Sequence, residues 1–215
     1  MSLFYNLNSK YKNASVIHIN CTIKPNFKDQ YQDIVVFRDE NFNVNSINIF
    51  NQSLIKNMPE NFGYLDSSLE KRWLNKIKKL NNKYNFIIPQ YFRVGKVIKR
   101  ENHPNTDKLY ILTVDFGDSQ KTIITNTTYT LENRMFIFAL AGAITATGTE
   151  IMVNKVMGIS SEGMVCSYTS LDLNNEKNKE LFEGKLFYNL NDKDKAKYLG
   201  AELPIILRDF KNKIY

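Results

Sequence analysis

The residues most able to do chemistry lie in one short stretch, MGISSEGMVCS, at 157–167. A serine between glycines suggests the G-x-S-x-G elbow of serine hydrolases, in which a sharp turn exposes the nucleophile. Here Gly158 and Ser160 are followed by Ser161 and Glu162, so the second glycine is missing from its place. The spacing therefore does not support a nucleophile elbow.

A serine nucleophile would also need a general base, and the chain has only two histidines, His18 and His103. His103 precedes Pro104 in a predicted turn, and nothing in the sequence supplies a carboxylate to orient its ring. The chain also lacks the P-loop and G-x-G-x-x-G motifs. We therefore expect no enzymatic activity and no cofactor.

Metal and redox chemistry are equally unsupported, because Cys21 and Cys166 stand far apart with no C-x-x-C motif. Two such cysteines make neither a zinc set nor a disulfide framework. The N-terminus does not resemble a signal peptide, and no run approaches the roughly 18 apolar residues of a membrane span. We expect a protein with no metal and no membrane contact, in the cytoplasm with reduced thiols.

The same short stretch reads better as the rim of a binding site. Ser161 offers a hydroxyl that donates and accepts hydrogen bonds, and Gly163 lets the backbone come close to a ligand. Met164 is flexible and polarizable, which suits contact with a flat ring. The alternative is that Met164 begins the core side of a strand and Ser161 is a turn residue, and residue types alone leave both readings open.

The first part of the chain predicts an α+β domain with short strands and one amphipathic helix. Strands are expected at 2–7, 14–21, 33–39 and 46–53. In 66–84, Leu69, Trp73, Ile77, Leu80 and Tyr84 recur at helical spacing and form one apolar stripe. Ser67 and Glu70 fit a capping box, with Asp66 adding negative charge near the helix N-terminus. The lysines off the stripe are read as a solvated face rather than a nucleic-acid contact.

The second part predicts an all-β domain that begins after a passage at 85–90. Runs separated by turn signals predict strands at 92–100, 108–116, 121–125, 135–140, 151–156 and 163–168, and 108–116 alternates along its length. Short, regular spacing between turns favours a small closed barrel. The polar tail from 172 ends in LPIILRDF, which we expect to pack back on the body. The predicted domains are 1–88 and 89–215, with the barrel core at 90–170.

Charge is distributed unevenly along the 215 residues, whose formal net charge is +7. Residues 1–88 hold 12 Lys and Arg against 7 Asp and Glu, residues 89–171 hold 8 against 7, and residues 172–215 hold 9 against 8. A basic balance favours a polyanionic partner, although it also arises by drift. Because the barrel itself is nearly neutral, binding of nucleic acid must depend on a few specifically positioned cations, and the affinity should depend only weakly on salt concentration.

Three stretches together resemble a known family. VGKVIKRENHPNTDKLYILTVDFG at 94–117, FALAGAI at 138–144 and GISSEGMVCS at 158–167 resemble the tRNA-binding domain family, as found in methionyl-tRNA synthetase and the phenylalanyl-tRNA synthetase β subunit. FYN near the start and INIFNQS at 47–53 resemble the front half of stand-alone YtpR-type proteins. The resemblance implies an OB-fold barrel that binds tRNA by shape and serves translation.

The resemblance also implies a set of nucleic-acid-binding residues. The family's closing S-x-G-M falls on Ser161, Gly163 and Met164, and its D-K-L places Lys108 against a phosphate while Asp107 fixes the turn. By position alone the set is extended to the further candidates Lys99, Arg100, Asn105, Asn126 and Lys155. We expect the turn at 103–108 to hold Lys108 beside the corner at 161–164.

Two positions depart from the family pattern. Thr106 replaces the usual alanine of H-P-x-A-D, and TNTTYTLEN at 125–133 lacks the glycine and proline that shape this loop in relatives. The partner expected is tRNA. The alternative is a protein-interaction adaptor associated with a tRNA synthetase or the translation apparatus, and the sequence leaves open whether the chain forms a homodimer.

Overall fold

The computed structural model describes residues 2–214, and the chain separates into two compact units. The first unit comprises Met1–Pro89 with Gly148–Glu150, and the second comprises Gln90–Thr147 with Ile151–Tyr215. The first is an α+β domain and the second a nearly closed antiparallel barrel of the OB type, which confirms the predicted fold class.

The first unit is a six-stranded antiparallel sheet with one long helix. The strands, in the spatial order β3-β4-β5-β2-β1-β6, are β1 (Leu3–Asn6), β2 (Ser15–His18), β3 (Phe27–Tyr31), β4 (Ile34–Arg38), β5 (Val44–Ile49) and β6 (Phe62–Tyr64). Strands β3 and β6 escape sequence analysis because their residues are exposed or only half-buried and carry no clear alternation of apolar and polar types.

Helix α1 (Ser67–Leu80) packs the predicted stripe into the core of this unit, where Leu69, Trp73 and Ile77 are buried. Its start differs from the prediction, because the side chain of Asp66 accepts the N–H groups of Ser68 and Leu69 and is the N-cap. The predicted capping box of Ser67 and Glu70 is therefore wrong, and the carboxylate of Glu70 accepts hydrogen bonds from Ser2.

The predicted stripe extends past the helix, because α1 stops at Leu80, which is exposed, and Asn81 takes an extended conformation. Tyr84 is nevertheless fully buried. Its hydroxyl donates to Asp29 Oδ2 at 2.7 Å and lies 2.8 Å from the Tyr31 hydroxyl. Burial raises the pKa of Tyr84, so the phenol stays protonated and donates this bond.

The second unit has a five-stranded antiparallel sheet in the order β13-β10-β7-β8-β9, with a separate hairpin of β11 and β12. The strands are β7 (Phe92–His103), β8 (Thr106–Asp115), β9 (Gln120–Thr125), β10 (Met135–Leu140), β11 (Asn154–Val156), β12 (Ile159–Ser161) and β13 (Gly163–Val165). Strand β7 pairs with β10 through its first half and with β8 from Lys96 onward, and the β7–β8 pairing has a register shift between Val97 and Lys99. This irregularity bends the strand, as barrel closure requires.

The tail folds into short helices that cover one face of the barrel. They are α2 (Glu176–Glu180), a single π-helical turn (Leu181–Lys185), α3 (Asp192–Tyr198), α4 (Leu203–Asp209) and α5 (Lys211–Ile214). All six residues of β10 are buried, since Phe136 and Phe138 belong to the barrel core while Phe182 and Leu186 approach the strand from the tail. The expected packing of the tail on the body is confirmed.

Arg93 anchors the end of this tail to the barrel. Its buried guanidinium donates to the carbonyl oxygens of Gly200 at 2.9 Å and Phe116 at 3.2 Å, and it forms a two-point ion pair with Asp118. Two backbone hydrogen bonds join Val94 to the Gly200 and Ala201 segment. The tail is therefore hydrogen-bonded to the first strand of the barrel as well as packed against it.

Candidate nucleic-acid interface

The turn after β7 is tighter than the sequence predicts. His103 pairs directly with Thr106, so only Pro104 and Asn105 form the loop, and Lys108 lies within strand β8. The His103 ring is buried and its Nδ1 accepts the Asn105 N–H at 3.2 Å. A buried imidazole, rather than an extended loop, fixes the shape of this hairpin tip.

The hairpin tip rests against the turn between β11 and β12. His103 Nε2 lies 3.4 Å from the Val156 carbonyl oxygen, and the Asn105 amide donates to the Met157 carbonyl oxygen at 3.3 Å. These contacts go to the far end of the β11–β12 hairpin rather than to Ser161, which pairs with Asn154 at its base. The structure thus joins the two predicted segments through the intervening hairpin, and direct proximity of Lys108 to the 161–164 corner stays a prediction.

Several predicted cations are exposed on this part of the barrel. Lys108 and Lys155 are exposed, and neither forms an ion pair within residues 2–214. Lys99 is exposed and its ammonium lies 2.9 Å from Glu101 Oε1. Exposed ion pairs of this kind contribute little to stability, so Lys99 can exchange Glu101 for a phosphate at small cost.

Arg100 is more constrained than the lysines. Its guanidinium carbon lies 3.4 Å from the centre of the Tyr110 ring, and its backbone N–H donates to Glu132 Oε1 at 2.8 Å. Its Nε atom is buried and has no hydrogen-bond partner within the described residues. Sequence analysis missed Tyr110, although its place two residues before the buried Leu112 could have assigned it to the inner face at the mouth of the barrel.

Ser161 closes the barrel. The hydroxyl is buried, accepts the Ile124 N–H at 3.0 Å and donates to the Gly163 carbonyl oxygen at 3.1 Å. Next to it, Glu162 and Thr122 exchange two further bonds, from the Glu162 N–H to the Thr122 carbonyl oxygen at 2.8 Å and from the Thr122 N–H to the Glu162 carboxylate at 3.0 Å. The S-x-G-M segment thereby connects β9 with β12 and β13, which closes the barrel.

Gly163 and Met164 take different positions on β13. A Cβ atom on Gly163 would lie 2.5 Å from the Ala139 carbonyl oxygen, so the glycine makes room for strand β10. Met164 pairs with Ala139 and is half-buried, while the next residue, Val165, enters the barrel core. Alternation therefore directs the Met164 side chain to the outer face, away from the barrel interior.

The altered loop at 125–133 is shaped by threonines. The hydroxyl of Thr127 lies 2.9 Å from that of Thr125 and 3.1 Å from that of Thr130, and the Thr127 N–H donates to Thr125 Oγ1 at 3.1 Å. These bonds hold the loop in shape without a glycine or a proline between residues 125 and 133. Asn126 lies exposed at its start, directly after β9.

The described residues contain no cluster of three or more His, Cys, Asp or Glu side chains that could hold a metal ion. His18 and His103 are both buried and belong to different units. Burial raises the pKa of the Cys166 thiol, which keeps it protonated. Within residues 2–214, no helix has the length and apolar character needed to cross a membrane.

The barrel is similar in sequence to known proteins. Residues 92–186 match the family described as a putative tRNA binding domain. The chain is 29% identical over 149 residues to the putative tRNA-binding protein YtpR of Bacillus subtilis, a match covering 67% of this chain and 74% of that protein.

Other matches cover shorter parts. The chain is 35% identical over 86 residues to the phenylalanine–tRNA ligase beta subunit of Sulfurimonas denitrificans, which is 40% of this chain but only 11% of that subunit. A MetRS related protein from Pyrococcus horikoshii, of known crystal structure, is 31% identical with a TM-score of 0.29, over 35% of this chain and 66% of that one.

Proposed function

We propose, from the premise that residues 92–186 form a domain of the putative tRNA-binding family, that this chain is a non-catalytic protein that binds tRNA through its OB-type barrel. The observation that carries the proposal is this family match, together with the similarity to YtpR over most of that protein's length. OB-type barrels bind oligonucleotides through one face and the adjoining loops, and this barrel presents exposed cations beside the His103–Thr106 hairpin.

The proposed contacts to phosphate are made by the cations around that hairpin. Lys108 and Lys155 have no ion-pair partner in the described chain, so they meet a phosphate without first breaking a bond. Arg100 presents a guanidinium already held against Tyr110, which lowers the entropy lost on binding. Lys99 joins them, and the amides of Asn105 and Asn126 add hydrogen bonds to the backbone of the RNA.

The S-x-G-M residues divide into two roles in this proposal. Met164 faces outward and contacts the RNA directly, since a flexible thioether adapts to a sugar or a base. Ser161 and Gly163 act by holding the barrel closed, which sets the position of Met164. Because the barrel segment is nearly neutral, RNA is recognised by its shape and by a few placed contacts.

The experiment measures tRNA affinity of Lys108→Glu by gel shift or fluorescence anisotropy across a salt series. We expect a loss of more than tenfold at low salt, because a phosphate contact is replaced by repulsion. Four neutralised phosphates predict a slope of log affinity against log salt of about −3 in the wild type, and the variant should lose about one unit of it. Lys193→Glu is the matched control, since Lys193 is exposed on α3 and outside the proposed contacts. Equal affinity of Lys108→Glu and the wild type would remove the proposed site.

A second candidate is an adaptor that docks on a tRNA synthetase. The match to part of a phenylalanine–tRNA ligase beta subunit favours it, because the same kind of domain occurs there inside a synthetase subunit. Absence of a gel shift with total tRNA at low salt, combined with recovery of a synthetase in a pull-down from cytoplasmic extract, would support the adaptor and refute the first proposal. Sedimentation of the same preparation decides whether the chain forms a homodimer.

A further inference from the structure

The tail and the loop before β10 enclose a pocket that the tRNA proposal does not use. Its volume is about 510 Å³, within the roughly 300–1,000 Å³ of pockets that take small ligands. It lies entirely within the second unit. We call it the tail pocket, and the lining residues that matter here are Tyr129, Leu131, Arg134, Phe136, Glu183 and Tyr188.

The walls of the tail pocket are aromatic and apolar. Phe136 is buried, and the Tyr129 ring lies 5.9 Å from it and is tilted against it. At the rim, Leu131 is 49% exposed and Tyr188 is 56% exposed. Large apolar side chains left open around a cavity indicate a surface that takes a flat, largely apolar group.

The polar groups of the tail pocket limit which flat group fits. The Arg134 guanidinium lies 4.2 Å from the centre of the Tyr188 ring, and it forms no ion pair within the described chain. Glu183 contributes a carboxylate to the lining of the pocket, and burial together with this negative charge raises the pKa of Tyr129. A ring that stacks on Tyr188 and Arg134 while donating N–H groups to a carboxylate meets both requirements.

The tail pocket is continuous with the proposed RNA contacts through one loop. Glu132 accepts the backbone N–H of Arg100 at 2.8 Å, and its neighbour Leu131 lines the pocket. Arg134 is tied to the same strand, since its carbonyl oxygen accepts the Val97 N–H at 2.9 Å. The loop that contains Leu131 and Arg134 therefore lines the pocket and is hydrogen-bonded to the strand that carries Arg100.

We propose that the tail pocket binds one unpaired nucleobase of an RNA, stacked on Tyr188 and Arg134, with an amino N–H of the base donated to Glu183. The proposal rests on the proposed RNA-binding function and adds a base-recognition site to it. Unpaired bases in RNA are commonly read by stacking on aromatic rings and guanidinium planes and by hydrogen bonds to their edges. A base with an amino group next to a ring nitrogen should be preferred to uracil.

The test uses the full chain and two labelled single-stranded RNA hexamers, rA6 and rU6, with affinity measured by fluorescence anisotropy. Loss of one base stack, about 1–3 kcal/mol, corresponds to a roughly five- to 150-fold weaker affinity for rA6 in Tyr188→Ala. Tyr188→Phe keeps the ring and should bind like the wild type. Because Tyr188 is more than half exposed, both variants should unfold at the wild-type denaturant concentration.

Recognition of the base edge is tested by Glu183→Gln, which should reduce the preference for rA6 over rU6 while leaving rU6 affinity unchanged. Equal rA6 affinity in the wild type and Tyr188→Ala overturns the proposal. So does a wild-type chain that binds neither hexamer, which would favour a polypeptide as the occupant. The tRNA experiment with Lys108→Glu is independent of this test. If Tyr188→Ala weakens rA6 binding as expected but Lys108→Glu leaves tRNA affinity unchanged, only the proposed barrel interface is refuted.

Discussion

Ser161 provides the sharpest test of how this barrel works, because its hydroxyl is assigned to closing the fold rather than to touching RNA. The change is Ser161→Ala, which removes the side-chain hydroxyl and does not require the backbone to change its conformation. The exposed neighbour Ser160 offers a matched control, Ser160→Ala, with the same chemistry at the next position of the same strand.

The expected loss of stability follows from the two hydrogen bonds that disappear. The N–H of Ile124 donates to Ser161 Oγ at 3.0 Å in a buried setting, and without the hydroxyl this donor is left unsatisfied. An unsatisfied buried donor costs about 1–3 kcal/mol. The bond to the Gly163 carbonyl oxygen contributes less, because Gly163 is only half-buried and water can replace it. We expect the free energy of unfolding to fall by about 1–3 kcal/mol in Ser161→Ala and by less than about 0.5 kcal/mol in Ser160→Ala.

The assay is urea unfolding followed by circular dichroism, with tRNA affinity measured on the same samples well below the transition. The unfolding slope should stay at its wild-type value, so that the whole effect appears in the midpoint. Since the Ser161 residue is only 6% exposed, affinity for tRNA should change by less than about twofold where both proteins are fully folded. A variant with wild-type stability and strongly weakened tRNA binding would refute the closure argument and make Ser161 a direct RNA contact.

Two further predictions concern the attachment of the tail to the barrel and the loss of stability at acid pH. In Gly200→Ala the new Cβ would lie 2.2 Å from the Phe116 carbonyl oxygen, at a φ of 76°. The control is Gly158→Ala, which has a similar φ and no atom within 4 Å, and which should lower the free energy of unfolding by roughly 1–2 kcal/mol. Gly200→Ala should lower it by much more, and equal losses in denaturant titrations would exclude the clash. The hydrogen bond from Arg38 holds the pKa of Asp29 below its ordinary value. Ionised Asp29 therefore stabilises the fold at pH values above its unfolded-state pKa of about 3.9, and this contribution is lost as the pH falls through the folded-state pKa. Asp29→Asn should therefore lower the melting temperature at pH 7 and flatten its fall between about pH 5 and 2, and an unchanged acid profile would show that other carboxylates set it.

Local patterns in the sequence determined most of the fold. Alternation along 108–116 predicts a strand because successive side chains in a strand point to opposite faces, and the continuous apolar run at 135–140 predicts a strand buried on both faces; both strands are present. The stripe of Leu69, Trp73 and Ile77 predicts α1 for the same kind of reason, since helical spacing places these residues on one side. Such signals are local, and they fade where strands are short and exposed, as in β3 and β6.

Only the tertiary structure decided what the candidate site residues do. Ser161 and Ile124 are 37 positions apart, and the partners Arg93 and Gly200 are 107 apart, so no window of sequence contains these bonds. The tail pocket likewise exists because a polar tail without a strong pattern folds back on the loop at 129–134. Periodicity records which face of an element is buried, whereas a hydrogen bond or a pocket depends on which elements meet, and that is settled only when the whole chain packs.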